Sequence, residues 1–93
     1  MAHYIKLIDK QTNEAESFSV IDKKLCEYLG VPEHPEKYYA PPNEFNWYDA
    51  IGWSCIGKSL ATFADELEED GLELAKAIRW IDNNYILDSW ISR

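Results

Sequence analysis

The chain has 93 residues and carries 17 acidic against 9 basic side chains, which gives a formal net charge of −8. A chain of this length has room for one domain, so we expect a single domain over residues 1–93. Aromatic residues make up 14% of the chain, which argues against intrinsic disorder. The negative charge excludes a function that neutralises phosphates, so we expect no direct contact with nucleic acid.

Cysteine usage and hydropathy indicate the compartment. The N-terminal sequence lacks the basic region and apolar run of a secretory signal, and no apolar stretch approaches the ~20 residues that span a bilayer. The two cysteines, Cys26 and Cys55, each lie within an apolar stretch. Small extracellular domains carry more cysteines at close spacing, so these two are predicted to be buried free thiols. We therefore expect a cytoplasmic protein with no membrane partner.

The first elements along the chain are predicted to be two strands. Tyr4–Asp9 and Glu16–Val20 each alternate between apolar and polar residues, and a polar, turn-prone stretch separates them. Together they predict an N-terminal β-hairpin. Because an isolated hairpin is marginally stable in water, it must pack on the helices that follow.

A short helix is predicted next, over residues 20–29, with Ser19 or Asp22 as its N-cap. Gly30 lies where a left-handed residue ends a helix, and Pro32 blocks its continuation. All four prolines fall between residues 31 and 43. That stretch is predicted to be an ordered, extended connector.

The rest of the chain is predicted to be helical, with Gly57 and Gly71 as points where helices end or bend. Apolar residues recur there at helical spacing in four groups. The group nearest the C-terminus predicts either a short final helix or the end of one bent helix over residues 72–92. Whether residues 44–70 form one continuous helix stays open. The predicted fold is α+β and mostly helical, with an N-terminal β-hairpin packed on about four α-helices. The four groups are Trp47, Ile51 and Cys55; Leu60, Phe63, Ala64 and Leu67; Leu74, Ile78 and Ile81; and Leu87, Trp90 and Ile91.

No constellation of residues in the sequence predicts catalysis or a cofactor. The two histidines are His3, near the N-terminus, and His34, between two prolines. Residues 52–57 superficially resemble a nucleophile elbow, but they hold one residue more than the G-x-S-x-G motif allows. Cys26 and Cys55 lack the close spacing of zinc-ligand pairs. We therefore expect no enzyme activity, no metal and no cofactor.

Acidic charge is concentrated in one stretch of the chain. No basic residue lies between Lys58 and Lys76, whereas six acids do, some of them at i, i+4 spacing that destabilises a helix. Asp70 and Glu73 have the spacing of a capping box, which would account for part of the run. The run is either a solvated surface or a binding surface for a basic protein partner. The residues predicted to form that binding surface are Asp65, Glu66, Glu68, Glu69 and Glu73.

A second candidate surface is aromatic. Six aromatic residues fall between residues 38 and 53. Trp47 is in phase with Ile51, so we expect it in the core, but the others cannot all share that face. Exposed Tyr and Trp are enriched at binding hot spots, although these residues could instead pack the connector onto a helix. The aromatic candidates for partner binding are Tyr38, Tyr39, Tyr48 and Trp53.

These features favour a small acidic binding protein. In size and charge the chain resembles the small acidic inhibitors that phages and other mobile elements make against host nucleases, such as anti-CRISPR and anti-restriction proteins. The resemblance is one of composition and covers no motif. It implies an inhibitor whose acidic helix imitates nucleic acid on a basic protein surface. The alternatives are a structural or assembly subunit that forms a homo-oligomer through exposed aromatics, and a small-ligand binder that uses the aromatic and proline-rich region.

Overall fold

The fold is α+β and mostly helical, as the sequence predicts. The computed structural model describes residues 2–30, 47–54 and 57–92, and within them it has four helices and a two-stranded antiparallel sheet. The elements in chain order are β1 (Ala2–Asp9), α1 (Phe18–Leu29), α2 (Trp47–Ser54), α3 (Leu60–Glu69), α4 (Leu74–Asn84) and β2 (Tyr85–Ser92).

The two strands come from opposite ends of the chain. β1 pairs with β2 along its whole length, in a register that runs from Ala2 opposite Ser92 to Asp9 opposite Tyr85. The short final helix predicted from Leu87, Trp90 and Ile91 is therefore wrong, and so is the alternative of one bent helix over residues 72–92. The segment is rich in aromatic and branched residues, which favour a strand, and its backbone pairs with β1 along its length.

The predicted N-terminal hairpin is present in a short form. After β1 the chain turns back, and Ala15 forms a single bridge with Ile8. The predicted second strand does not extend to Val20, because α1 already begins at Phe18. Ser17 is the N-cap, with its hydroxyl accepting from the backbone N–H of Val20, so the predicted caps Ser19 and Asp22 are wrong.

The junction between α3 and α4 is made by a Schellman motif. Gly71 has a φ of 70°, its N–H donates to the carbonyl of Glu68, and the N–H of Leu72 donates to that of Leu67. Gly71 therefore ends α3 as predicted. The predicted capping box is wrong, because Glu73 begins α4 without a side-chain capping bond.

The core lies between the helices and the inner face of the sheet. The predicted stripe of α3 is buried along its length, and Trp47 is 1% exposed, as expected from its phase with Ile51. Leu72, in the turn between α3 and α4, is 48% exposed and lies outside this core. The fully buried side chains are Leu7, Ile21, Leu25, Ile51, Ala64, Ala77, Ile78 and Ile81.

A polar contact joins the start of α1 to the start of β2. Glu16 accepts hydrogen bonds from the hydroxyl of Tyr85 and, at 2.8 Å, from Nζ of Lys24. Burial, together with the hydrogen bond to Glu16, raises the pKa of Tyr85 above its ordinary value of 10.0. The tyrosine hydroxyl is therefore held in its neutral, donating form.

Replacing Tyr85 with Phe is expected to lower the free energy of unfolding by about 1–2 kcal/mol, because Glu16 loses a hydrogen-bond donor. A tyrosine whose pKa is raised on folding stabilises the folded state below pH 10.0, and this contribution is lost as the pH rises through the higher folded value. Urea unfolding of both proteins at neutral and alkaline pH measures the difference. A difference that stays constant well above pH 10.0 would contradict the assignment.

Candidate functional site

The acidic face is the outer surface of α3 and of the turn after it. It consists of six carboxylates, the five predicted ones and Asp70, and all six are exposed. Phe63, Ala64 and Leu67 are buried against the core, so helical spacing turns the residues between them outward. The six residues of the acidic face are Asp65, Glu66, Glu68, Glu69, Asp70 and Glu73.

Arg79 on α4 holds two of these carboxylates together. Its Nε donates to Glu68 Oε1 at 3.1 Å and its Nη2 to Glu68 Oε2 at 2.5 Å. The same Nη2 lies 2.6 Å from Asp65 Oδ1. A planar guanidinium that bonds one carboxylate through two donors fixes the geometry of the pair, so Arg79 orders this part of the acidic face.

The contacts with Arg79 keep the Glu68 carboxylate ionised. The hydrogen bonds from Arg79 hold the pKa of Glu68 below its ordinary value of 4.5. Hydrogen bonds to Glu68 and Asp65 raise the pKa of Arg79 in turn. Glu68 therefore keeps its negative charge as the pH falls towards 4.5, and its stabilising contribution is lost only below that range.

Two lysines neutralise further members of the face. Lys58 Nζ lies 2.8 Å from Glu66 Oε2, and Lys76 Nζ lies 3.2 Å from Glu73 Oε2. With Arg79, three cations stand beside six carboxylates, which leaves a local net charge of −3. Folding therefore offsets much of the repulsion that the sequence alone implies.

Glu69 and Asp70 are the two members of the acidic face that have no cationic side chain beside them in the described part of the chain. Within the described part of the chain, no hydrogen bond or ion pair joins either carboxylate to another residue. Both lie at the C-terminal end of α3, where the helix dipole disfavours negative charge. Their placement lowers the stability of the folded state, and no contact in the described part of the chain offsets this.

The predicted aromatic surface is placed only in part. Tyr38 and Tyr39 lie outside the described residues, as does the side chain of Trp53 on α2. Tyr48 is half-buried and packs edge-on against Phe18, with ring centroids 4.8 Å apart. This packing accounts for Tyr48 as part of the apolar interior.

A groove of about 300 Å³ lies beside β2 and the start of α3. Lys10 and Asp82 are in its lining, and Lys10 Nζ donates to the backbone oxygen of Asp82 at 2.7 Å. No histidine or cysteine is among the described residues that line this groove. Ser59 and Ser89 line it together with Lys10 and Lys58.

No three His, Cys, Asp or Glu side chains among the described residues converge in a way that could hold a metal ion. No helix in the described ranges combines the length and the apolar character needed to cross a membrane.

The chain matches no protein-family model, no curated protein and no solved structure.

The sequence alone did not reveal Arg79 as part of the acidic face. It lies 11 residues after Glu68 and 14 after Asp65, and only the reversal between α3 and α4 brings it to them. A short turn between two predicted helices was the available signal, since it implies antiparallel neighbours.

Proposed function

We propose that the chain is a non-enzymatic binding protein whose acidic face engages the basic surface of a nucleic-acid-binding protein, in the place of nucleic acid. The observation that carries this proposal is the pair Glu69 and Asp70. They are exposed, uncompensated among the described residues, and set at the end of a helix where negative charge is unfavourable. Residues that lower stability and make no compensating contact are typical of binding sites.

The ordered part of the face supports the same function. Arg79 fixes Asp65 and Glu68 relative to each other, so a partner meets carboxylates whose positions are already set. Preorganised charges bind with a smaller loss of conformational entropy than mobile ones. The net charge of −8 would steer a basic partner towards the chain over a longer range.

The proposal places the protein in the class of acidic inhibitors that phages and other mobile elements make, acting in the cytoplasm. Cys26 is a buried free cysteine, which supports a reducing compartment. The partner would use lysines and arginines that otherwise contact phosphates, so its binding to nucleic acid and to this chain would be mutually exclusive.

Capture from a lysate of the native host tests the proposal. The bait proteins are the wild type, a Glu69→Lys/Asp70→Lys variant, and a control variant, Glu14→Lys/Glu27→Lys. Both variants change the net charge equally, but Glu14 and Glu27 are exposed acids outside the acidic face. Lysines at the end of α3 suit the helix dipole, so the first variant is expected to fold.

The expected result is a partner that the wild type and the control retain and the Glu69→Lys/Asp70→Lys variant loses by at least about tenfold. Duplex DNA and added salt should both release it, because each competes for the basic surface. Equal retention by all three baits would contradict a role for the face. Equal loss from both variants would assign the binding to overall charge.

A further inference from the structure

The outer sheet face is an exposed surface unrelated to the acidic face. The antiparallel register places its six residues in three cross-strand rows. The alternate residues of both strands point to the core, as the burial of Leu7 and Tyr85 shows, so these six point away from it. The rows are Tyr4 with Trp90, Lys6 with Asp88, and Ile8 with Ile86.

The outer sheet face is largely apolar and exposed. Tyr4 is 48% exposed, Trp90 45% and Ile86 50%. The rings of Tyr4 and Trp90 stack with centroids 5.7 Å apart. Exposed apolar residues that adjoin one another mark interaction surfaces, whereas scattered ones do not.

The charges on the outer sheet face balance in a chain that is otherwise strongly acidic. Lys6 and Asp88 supply one positive and one negative charge in the middle row. They are exposed and directly opposite each other, yet neither has an ion-pair partner within the described part of the chain. Both charges are therefore available to a second molecule.

We infer that the outer sheet face binds the same face of a second copy, as a two-fold symmetric dimer whose axis runs parallel to the strands. With this axis, β1 of one protomer lies over β2 of its partner, and each row keeps its position along the strand direction. The aromatic row then covers the aromatic row and the aliphatic row covers the aliphatic row. In the middle row Lys6 lies over Asp88 of the partner subunit, and the contact occurs twice.

Charge selects this axis over the other two-fold arrangement. An axis across the strands through the middle row would place Lys6 over its own copy and Asp88 over its own copy, with repulsion at both positions. Aligned packing of two sheets, within about 30° and about 10 Å apart, suits the axis along the strands.

The electrical neutrality of the face also favours a second copy as the occupant. Two molecules of net charge −8 repel each other, and a neutral apolar face is where that repulsion is smallest. The three rows run from residue 4 to residue 8 of β1, so the face is about 14 Å long and two strands wide. Such a face is smaller than the roughly 800 Å² per partner of a standard interface, so the dimer is expected to be weak and reversible.

Sedimentation analysis of the purified chain tests the inference, at protein concentrations from about 10 µM to about 1 mM. The wild type should pass from monomer to dimer over this range. Lys6→Asp leaves two acids in the middle row, and Asp88→Lys leaves two bases there. Each variant alone should dimerise at least about tenfold more weakly, because like charges then face each other.

An equimolar mixture of the two charge variants is the decisive sample. One variant presents two acids and the other two bases, so a heterodimer restores both attractive contacts and should form as the wild-type dimer does. Lys23→Asp, on the exposed surface of α1, is the control for charge and should leave dimerisation unchanged. Circular dichroism checks that each variant is folded.

A Trp90→Ala variant changes no charge and should dimerise at least about tenfold more weakly than the wild type. It tests the inference independently if a charge variant fails to fold. A wild type that stays monomeric at every concentration would overturn the inference. So would charge variants that dimerise as the wild type does, or a mixture that fails to recover. None of these results bears on the acidic face.

Discussion

Replacing Trp47 with Ala is expected to lower the free energy of unfolding by about 3–5 kcal/mol, a large part of the stability of a domain this size. Trp47 is 1% exposed, and its indole fills the space between α2 and the rest of the core. Its Nε1 also donates to Oδ1 of Asp22 at 2.9 Å, within the buried interior. The variant therefore leaves a cavity and removes a buried hydrogen bond.

Trp47→Phe is the matched control for the hydrogen bond. It keeps an aromatic ring in the core and removes the N–H donor to Asp22, so a smaller loss of about 1–3 kcal/mol is expected. Urea unfolding followed by circular dichroism measures both variants. A loss below about 1 kcal/mol for Trp47→Ala would show that the indole is not buried as described.

The second large effect is expected at Leu7, in the middle of β1. Its side chain is fully buried on the inner face of the sheet. Leu7→Ala is expected to lower the free energy of unfolding by about 2–5 kcal/mol, because it removes apolar contacts and leaves a cavity.

Lys6→Ala, one residue earlier on the same strand, is the control. Lys6 is exposed on the outer sheet face, so its loss should change the free energy of unfolding by less than about 0.5 kcal/mol. A shift of one residue in strand register would exchange the two results. The pair of variants, measured by chemical unfolding, thus tests which residues of β1 face the core.

The helices were predictable because their signals are local. The apolar stripe of α3 and the glycines at positions 30 and 71 specify where α1 and α3 bury their residues and where they end. The spacing of Leu87, Trp90 and Ile91 is that of a helix, and a local pattern does not show which distant segment a strand would pair with. The pairing of β2 with residues 2–9, at the other end of the chain, decides in favour of a strand.

The candidate site was predictable as a set of acids but not as an arrangement. The five predicted carboxylates do lie on one exposed surface, because they avoid the buried stripe of α3. Which of them are compensated depends on Arg79, whose partners are distant in sequence. The distinction between Arg79-bound Glu68 and uncompensated Glu69 therefore required the fold.

The acidic face is tested most directly by mapping where a cationic ligand binds. The measurement is a two-dimensional NMR titration of the isotopically labelled chain with an arginine-rich peptide, at low and at high salt. The largest amide shifts are expected at residues 65–73, with their centre at Glu69 and Asp70, and they should shrink as salt is added. Shifts of equal size at the other exposed acids, such as Glu14 and Glu27, would contradict this expectation, because the face would then be no more than part of a uniformly acidic surface.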